Sequence, residues 1–426
     1  MGFASAWLEG NTIFPRLIPA DPDPGTGIII VIPSYGEGNI GATLDSIAQC
    51  TPPECRCEVI VVVNAPADAP ERLKEDNKRT IAYLKAWSDS HRSHFRLFFC
   101  APDTSHIPGW GVGHARKTGM DEAVRRFSYL DNPDGVIVSL DADCIVNRDY
   151  LTGLYALLYN AKGKNGCTIT LYNSRDDEKL PAGITAAALK YELGRRYMFF
   201  GFRYAGYPWC FNIYGSAMAF RAGIYVKAGG MNKRQAGEDF WFMRKILPAG
   251  GFFHNSVSGV QASARVSARV PFGTGRSVQE IISSPGGLRN FPDSEAFDDL
   301  KKLWDGAYSL FKKDMQEINR FYHQLPDRLK EFIADEKFAG SVLNVSSNTA
   351  SSASFARRYF IVFDLLFGIR YLNYFAGETK NNEDFIAACV VLAQKAGFTE
   401  LTTTTSLSSV LSFYRGSEAW ISCSPF

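Results

Sequence analysis

The chain has 426 residues, 46% hydrophobic and 21% charged, a balance that excludes a disordered chain and, at roughly 150 residues per domain, a single miniature domain. Lys and Arg number 46 against 44 Asp and Glu, a formal charge of +2, so no overall field gathers a polyanion such as nucleic acid. The nine cysteines are odd in number and scattered, which argues against a secreted disulfide framework and points to a reducing compartment.

The first residues, MGFASAWLEGN, lack the basic and continuously apolar stretches of a secretory signal. No segment reaches the ~18 to 20 apolar residues that span a bilayer. The expectation is a cytoplasmic protein, at most touching a membrane surface. The breaker ADPDPGTG (20–27) ends a leader (1–26), and GIIIVIPSYGEG is a buried-strand run closing in a Gly-rich turn. Ile40, Leu44 and Ile47 fall at helical spacing, and CEVIVVVNAP (57–66) is a second strand. Between them Cys50, Cys55 and Cys57 form a local cluster that would need a fourth ligand to hold zinc; ordinary buried or loop thiols are the simpler expectation.

The alternation continues with a helix around 70–90, a strand at 95–100 (FRLFFC), a helix at 114–127 and a strand at 135–141 (GVIVSLD). Apolar strands alternating with helices predict a parallel sheet covered on both faces, whose ligands bind beyond the carboxyl ends of the strands. That singles out Pro33 to Gly38, Asn64 to Pro66 and Asp141 to Asp143.

From 186 to 230 the chain turns aromatic and Gly-rich, in keeping with a pocket wall, and 255–290 reads as a Ser/Gly/Arg-rich connection. Beyond about Phe291 the pattern is helical: over 294–323 Phe297, Leu300, Leu303, Trp304, Tyr308 and Phe311 share a face, and further helices fall at 352–376 and 383–397. Arg357, Arg358 and Arg370 beside Phe360, Phe363, Leu366, Phe367, Tyr371 and Tyr374 read either as a basic amphipathic face for peripheral membrane contact or as packing against the first domain.

Ser139-Leu140-Asp141-Ala142-Asp143 places two carboxylates where an apolar strand leaves the sheet. Carboxylates at i and i+2 around a turn can give oxygens to a hard divalent ion whose other ligands are phosphate oxygens; a plain Asp-rich turn is the alternative. Taken with Val31-Ile32-Pro33-Ser34-Tyr35-Gly36-Glu37 and with Gly237-Glu238-Asp239-Phe240-Trp241 and Arg244, this turn resembles the successive motifs of family 2 glycosyltransferases, over about residues 27–280.

The resemblance implies an α/β chain of GT-A type, with a mostly parallel sheet flanked by helices (27–285) and a helical C-terminal region (286–426). It implies a nucleotide-sugar donor and Mn2+ or Mg2+ held at the DXD motif by Asp143 and Asp141, with His254 as a candidate third ligand. Pro33, Tyr35 and Glu37 would lie against the nucleoside, and Asn64 would face the base, where an Asp is common. Arg116, in the Gly109–Gly119 segment, would approach the nucleotide. Arg265, Arg269 and Arg276 would belong either to a loop closing over the diphosphate or to a solvated linker.

Asp239 would be the general base, with Glu238 orienting acceptor or base and the anomeric centre inverting. Trp209, with Tyr204, Tyr207 and Tyr214, is a candidate sugar-stacking wall, though core packing accounts for such rings equally. The acceptor would be a glycan, a lipid-linked sugar or a small molecule. A sugar-phosphate nucleotidylyltransferase would need a basic loop after the first strand, which PSYGEG lacks. A binding-only protein on the same scaffold is the remaining alternative.

Overall fold

A computed structural model describes residues 2–91, 93–267, 273–283, 291–375, 382–402 and 405–421. The chain divides into two compact units, one of residues 1–181 with 213–276, the other of 182–212 with 277–426.

The first unit is a mixed eight-stranded sheet: β1 (Thr26–Ser34), β2 (Arg56–Val63), β3 (Phe95–Cys100), β4 (Val136–Ser139), β5 (Cys144–Val146), β6 (Gly166–Tyr172), β7 (Met218–Arg221) and β8 (Phe252–Ala262), in the order β3-β2-β1-β4-β7-β6-β8-β5. β1 pairs in parallel with β2 and β4, and β2 with β3. Ile28 to Ile32, Val59 to Val62 and Val136 to Val138 are fully buried, because helices cover both faces of this half and unbranched polar alternation would leave polar groups in the core. The helices Ile40–Ala48, Glu71–Ser90 and Val112–Tyr129 link these strands, as the sequence pattern predicts.

The second half is antiparallel at β4–β7, β6–β7 and β5–β8, with β6 and β8 parallel. The sheet is curled, for a geometric reason. Laid flat, β4 and β5 would lie four strand spacings apart, roughly 19 Å. Only Leu140 to Asp143 separate them in sequence, a reach of at most about 18 Å when extended, and Cys144 N–H folds back onto Asp141 C=O at 3.1 Å. The far edge must therefore roll toward β4. Thr43 Oγ1, from the helix Ile40–Ala48, donates to Ala142 C=O at 2.9 Å and fixes the turn that makes the crossing. A mixed sheet with helices on its faces, followed by a helical C-terminal region, is the GT-A-like arrangement expected.

The second unit is helical. Phe297, Leu300, Leu303 and Trp304 on the helix Glu295–Ser309 are all buried, each such side chain contributing about 1.5–3 kcal/mol by burial. The predicted helix over 294–323 is instead two: Tyr308 is 62% exposed, and a new helix, Met315–His323, starts from an Asp314–Glu317 capping box. The stretch 352–376 also breaks, into Ser352–Val362 and Leu365–Tyr374, where Asp364 caps the second helix by accepting from Phe367 N–H. Phe360, Phe363 and Tyr371 are buried within this unit, so these members of the stripe read as membrane-facing pack internally, while Arg357, Arg358, Ile361, Val362 and Arg370 remain exposed. Among the described residues no helix is long and apolar enough to cross a membrane.

Candidate active site

β1 lies between β2 and β4, so the chain reverses its direction of strand addition there, the point at which sheets of this kind take ligands beyond the carboxyl ends of their strands. Pro33-Ser34-Tyr35-Gly36-Glu37 emerges on one side and Asp141-Ala142-Asp143 on the other. β4 pairs with β1 only as far as Val31, so Pro33 falls beyond that ladder, where its missing N–H breaks no pairing with β4.

Arg116 is the centre of the site. It lies on the helix Val112–Tyr129, 3% exposed, and its guanidinium spends all three nitrogens inside the protein. Nε donates to Glu238 Oε1 at 2.7 Å, Nη2 to Asp141 Oδ1 at 2.6 Å, and Nη1 to Ser139 Oγ at 2.6 Å and Gly215 C=O at 2.8 Å. One arginine thus joins the turn after β4 to the Glu238-Asp239 pair opening the helix Glu238–Ile246. Burial opposes its charge, but Asp141, Glu238 and Asp239 together raise its pKa above the ordinary arginine value. Burial likewise drives Glu238 up to about 7; Arg116 counteracts this and Asp239 adds to it.

Two glycines permit this packing. A Cβ on Gly215 would sit 2.6 Å from Arg116 Nη2 and 3.3 Å from Asp239 Oδ2. A Cβ on Gly113 would sit 2.3 Å from Arg234 C=O, so the Gly-rich run before Arg116 lets the helix start meet the segment leading into Glu238. Gly111 is under the same constraint, since a Cβ there would sit 2.6 Å from Gln235 Cα.

The second cluster is Glu37, Asp143 and Arg265. Arg265 Nη1 donates to Glu37 Oε1 at 2.9 Å, Nη2 pairs with Glu37 Oε2, and Nη2 lies 3.3 Å from Asp143 Oδ2. Arg175, 5% exposed, donates through Nη1 to Asp143 C=O at 2.9 Å and grips Asp177 with its other nitrogens. Glu178 accepts from Ser263 Oγ at 2.5 Å and Ala264 N–H at 3.2 Å, anchoring the backbone just before Arg265.

Glu37, Asp143 and Arg265 on one side and Arg116, Asp141, Glu238 and Asp239 on the other therefore form two clusters joined by the Asp141-Ala142-Asp143 turn, with half-buried Tyr35 two residues before Glu37. Other expected residues are placed differently. Asn64 lies at the end of β2, but its amide is engaged internally: Nδ2 donates to Ser34 C=O at 2.9 Å, and Oδ1 accepts from Trp110 Nε1 at 3.0 Å. Asn77 supports it, donating to Asn64 C=O at 2.7 Å and accepting from Gly36 N–H at 2.8 Å, which ties the ends of β1 and β2 together.

His254 is not brought to the carboxylates. It pairs with Thr168 near the start of β6, whereas Tyr172 pairs with Gln261 next to the β5 edge, so His254 lies about four residues, roughly 13 Å, short of the carboxyl ends. Its ring nitrogens meet Thr168 Oγ1 at 3.3 Å and Thr170 Oγ1 at 3.0 Å. Arg269 lies outside the described residues. Trp209 is 3% exposed and packs with Tyr207 and Phe360 inside the second unit, so its ring is a core element rather than an open wall.

Ser139, Gly215, Arg175 and Asn77 belong to the site although sequence reasoning assigns them no role; only Ser139 carried a signal, as the residue ending β4 before the acidic turn. Among the described residues no group of three or more His, Cys, Asp or Glu could hold a metal ion. Asp141 and Asp143 nevertheless offer hard carboxylate oxygens at a strand end, which suits an Mg2+ or Mn2+ ion that takes its remaining ligands from phosphate and water.

No protein-family model matches this chain, and no curated protein sequence matches it. Solved structures similar to it include S. aureus TarS in complex with UDP-GlcNAc, 14% identical over 78% of this chain and 89% of that one, with a TM-score of 0.40. GalNAc-T7 with UDP, GalNAc and Mn2+ is 16% identical over 74% of this chain and 57% of that one, TM-score 0.35. The mannosyltransferase PcManGT from Pyrobaculum calidifontis in complex with GDP-Man and Mn2+ is 15% identical over 98% and 92%, TM-score 0.34.

Proposed function

We propose that this chain is a glycosyltransferase that moves a sugar from a nucleotide-diphosphate donor to an acceptor hydroxyl, with inversion. The observation that carries the reading is the buried Arg116 bridge: it ties Asp141 and the Glu238-Asp239 pair, far apart in sequence, together at the carboxyl end of β4. Sugar transfer needs charge neutralised on the leaving diphosphate, a positioned hydroxyl and a base beside the attacking oxygen.

Asp239 is the base in this reading. It sits half-buried in the first turn of its helix, Oδ1 accepting from Phe240 N–H at 2.7 Å and Oδ2 beside Gly215. Glu238, fixed by Arg116, orients the acceptor or the base. Asp143, with Asp141 beside it, would hold the Mn2+ or Mg2+ ion, which when bound supplies positive charge to the leaving diphosphate. Tyr35, with Pro33, lies on the nucleoside side in this reading, and Glu37, two residues on, reaches from there to Arg265 beside Asp143. The engaged amide of Asn64 supports a supporting role for it, holding Trp110 and the end of β1, beside the base rather than on it. His254 has no part in this arrangement. The sugar acceptor and any membrane-surface contact through the exposed Arg357, Arg358 and Ile361 belong to the same proposal.

The test is a thermal-shift screen with UDP, GDP, CDP and dTDP sugars, each with and without Mn2+, since a ligand that binds only the native state raises its melting temperature. A metal-dependent shift with one nucleotide, abolished by Asp143→Ala, is expected. Asp239→Asn should then bind the donor as before while transfer falls by orders of magnitude; full transfer in that variant removes Asp239 as base.

A further inference from the structure

Glu37 and Asp143 leave two different strands, β1 and β4, and both meet the guanidinium of Arg265. Glu37 is 3% exposed. Two carboxylates brought this close, one of them buried, call for a positive charge between them to offset desolvation and like-charge repulsion. Arg265 supplies that charge. Its side chain is 31% exposed and that of Asp143 30%, so the cation is held on the open side of the pair, where it can exchange with what arrives from solvent. The Glu178 contacts at Ser263 and Ala264 hold the backbone from which Arg265 projects, so the side chain can leave without the strand end moving.

The geometry points to Glu37 and Asp143 as one cation locus whose resident is Arg265, with Arg265 and a divalent ion as alternative partners of Asp143. Arg265 thereby sets the ion's affinity. The inference rests on the reading of Asp143 as the residue that holds the donor's metal. It has a binding consequence. An ion entering alone must displace the guanidinium at a cost, whereas an ion entering with a diphosphate offers the displaced fork new oxygens. Ion and nucleotide therefore bind with positive cooperativity, each tightening the other by the same factor.

The experiment is Mn2+ binding followed by the electron paramagnetic resonance of the free ion, in the full chain, with and without UDP. Without nucleotide, Arg265→Gln should bind Mn2+ about tenfold more tightly than the wild type, the worth of displacing a forked, half-buried pair. Adding Asp143→Asn to that variant should cancel the gain, and UDP should tighten Mn2+ less in Arg265→Gln than in the wild type. Equal or weaker Mn2+ binding by Arg265→Gln overturns the inference. Should that variant not fold, Arg265→Lys, which keeps the charge and loses the fork, is expected to gain a few-fold in affinity, and an unchanged value overturns the inference equally. Nucleotide-sugar binding measured alongside separates the two ideas. Tighter Mn2+ with no nucleotide-sugar binding keeps the locus and removes the transferase reading; nucleotide-sugar binding with an unmoved Mn2+ affinity does the reverse.

Discussion

Replacing Arg116 by Met tests whether one buried charge holds the two halves of the site together. The substitution leaves Glu238, its side chain 4% exposed, without its charged partner, and strips Asp141, 36% exposed, of the same contact. The two losses are unequal. Asp141 regains water and its loss is screened to about 1 kcal/mol or less, whereas Glu238, already pushed up to about 7 with Arg116 in place, rises further and takes up a proton, so the loss there is that of a buried, charge-assisted hydrogen bond, about 2–3 kcal/mol. At about 2–4 °C per kcal/mol for a unit of this size, the melting transition should fall by roughly 4–12 °C at neutral pH. Adding Glu238→Gln removes the carboxyl that Arg116 held and should restore part of the loss, giving a coupling of roughly 0.5–3 kcal/mol in a double-mutant cycle. Thermal unfolding followed by near-ultraviolet circular dichroism reads both. A melting temperature within about 2 °C of wild type for Arg116→Met, or strictly additive effects in the cycle, would refute the claim that Arg116 neutralises Glu238.

Gly215→Ala places a methyl 2.6 Å from Arg116 Nη2 and 3.3 Å from Asp239 Oδ2; overpacking of about 1–3 kcal/mol and weakened donor binding are expected in calorimetry, although the variant replaces no carboxylate. Burial pushes Glu238 up to about 7 from the ordinary 4.5, so the folded state binds this proton more tightly than the unfolded chain does. Its stabilising contribution is full below about pH 4.5 and lost as pH rises through about 7; the fall in melting temperature over that window should flatten in Glu238→Gln. In the second unit Glu192, fully buried, accepts from Arg196 and Arg415, and Arg196 also pairs with Glu418. Glu418→Ala should destabilise that unit by about 3 kcal/mol, read by earlier proteolysis of the C-terminal helices.

The parallel half of the sheet was readable because β1, β2 and β4 are runs of Ile and Val and β3 (FRLFFC) a short run of Phe and Leu, and the helices between them carry a clear period. The antiparallel half was not. β5 and β7 are three and four residues long, and β8, FFHNSVSGVQA, pairs with β6 through a register shift between Ile169 and Thr170 that removes any alternation. The acidic residues of the site were legible from their position after strands. Their partners were less so: Arg175 and Gly215 look like ordinary loop residues until the fold places them 2.9 Å from Asp143 C=O and against Arg116. Asn64 and His254 show the opposite case, in which a polar residue at a suggestive spacing is held by its neighbours in the sheet.

The division of the first unit into two stretches, 1–181 and 213–276, orders the events of its synthesis. A ribosome that has released residues through Ser139 has supplied β1 to β4, whose parallel ladders join elements close together along the chain. β7 and β8 emerge only after the helix Ala182–Tyr204 of the other unit has been made. Until then the ladder edges of β4 and β6 stay open, and β5 waits for residues 260–262 before it can pair. Such late, long-range closure slows folding and leaves unpaired edges exposed to neighbouring chains, so slower elongation between 181 and 260 would lengthen the vulnerable interval, and Glu238-Asp239, delivered near its end, meet Arg116 among the last contacts to form.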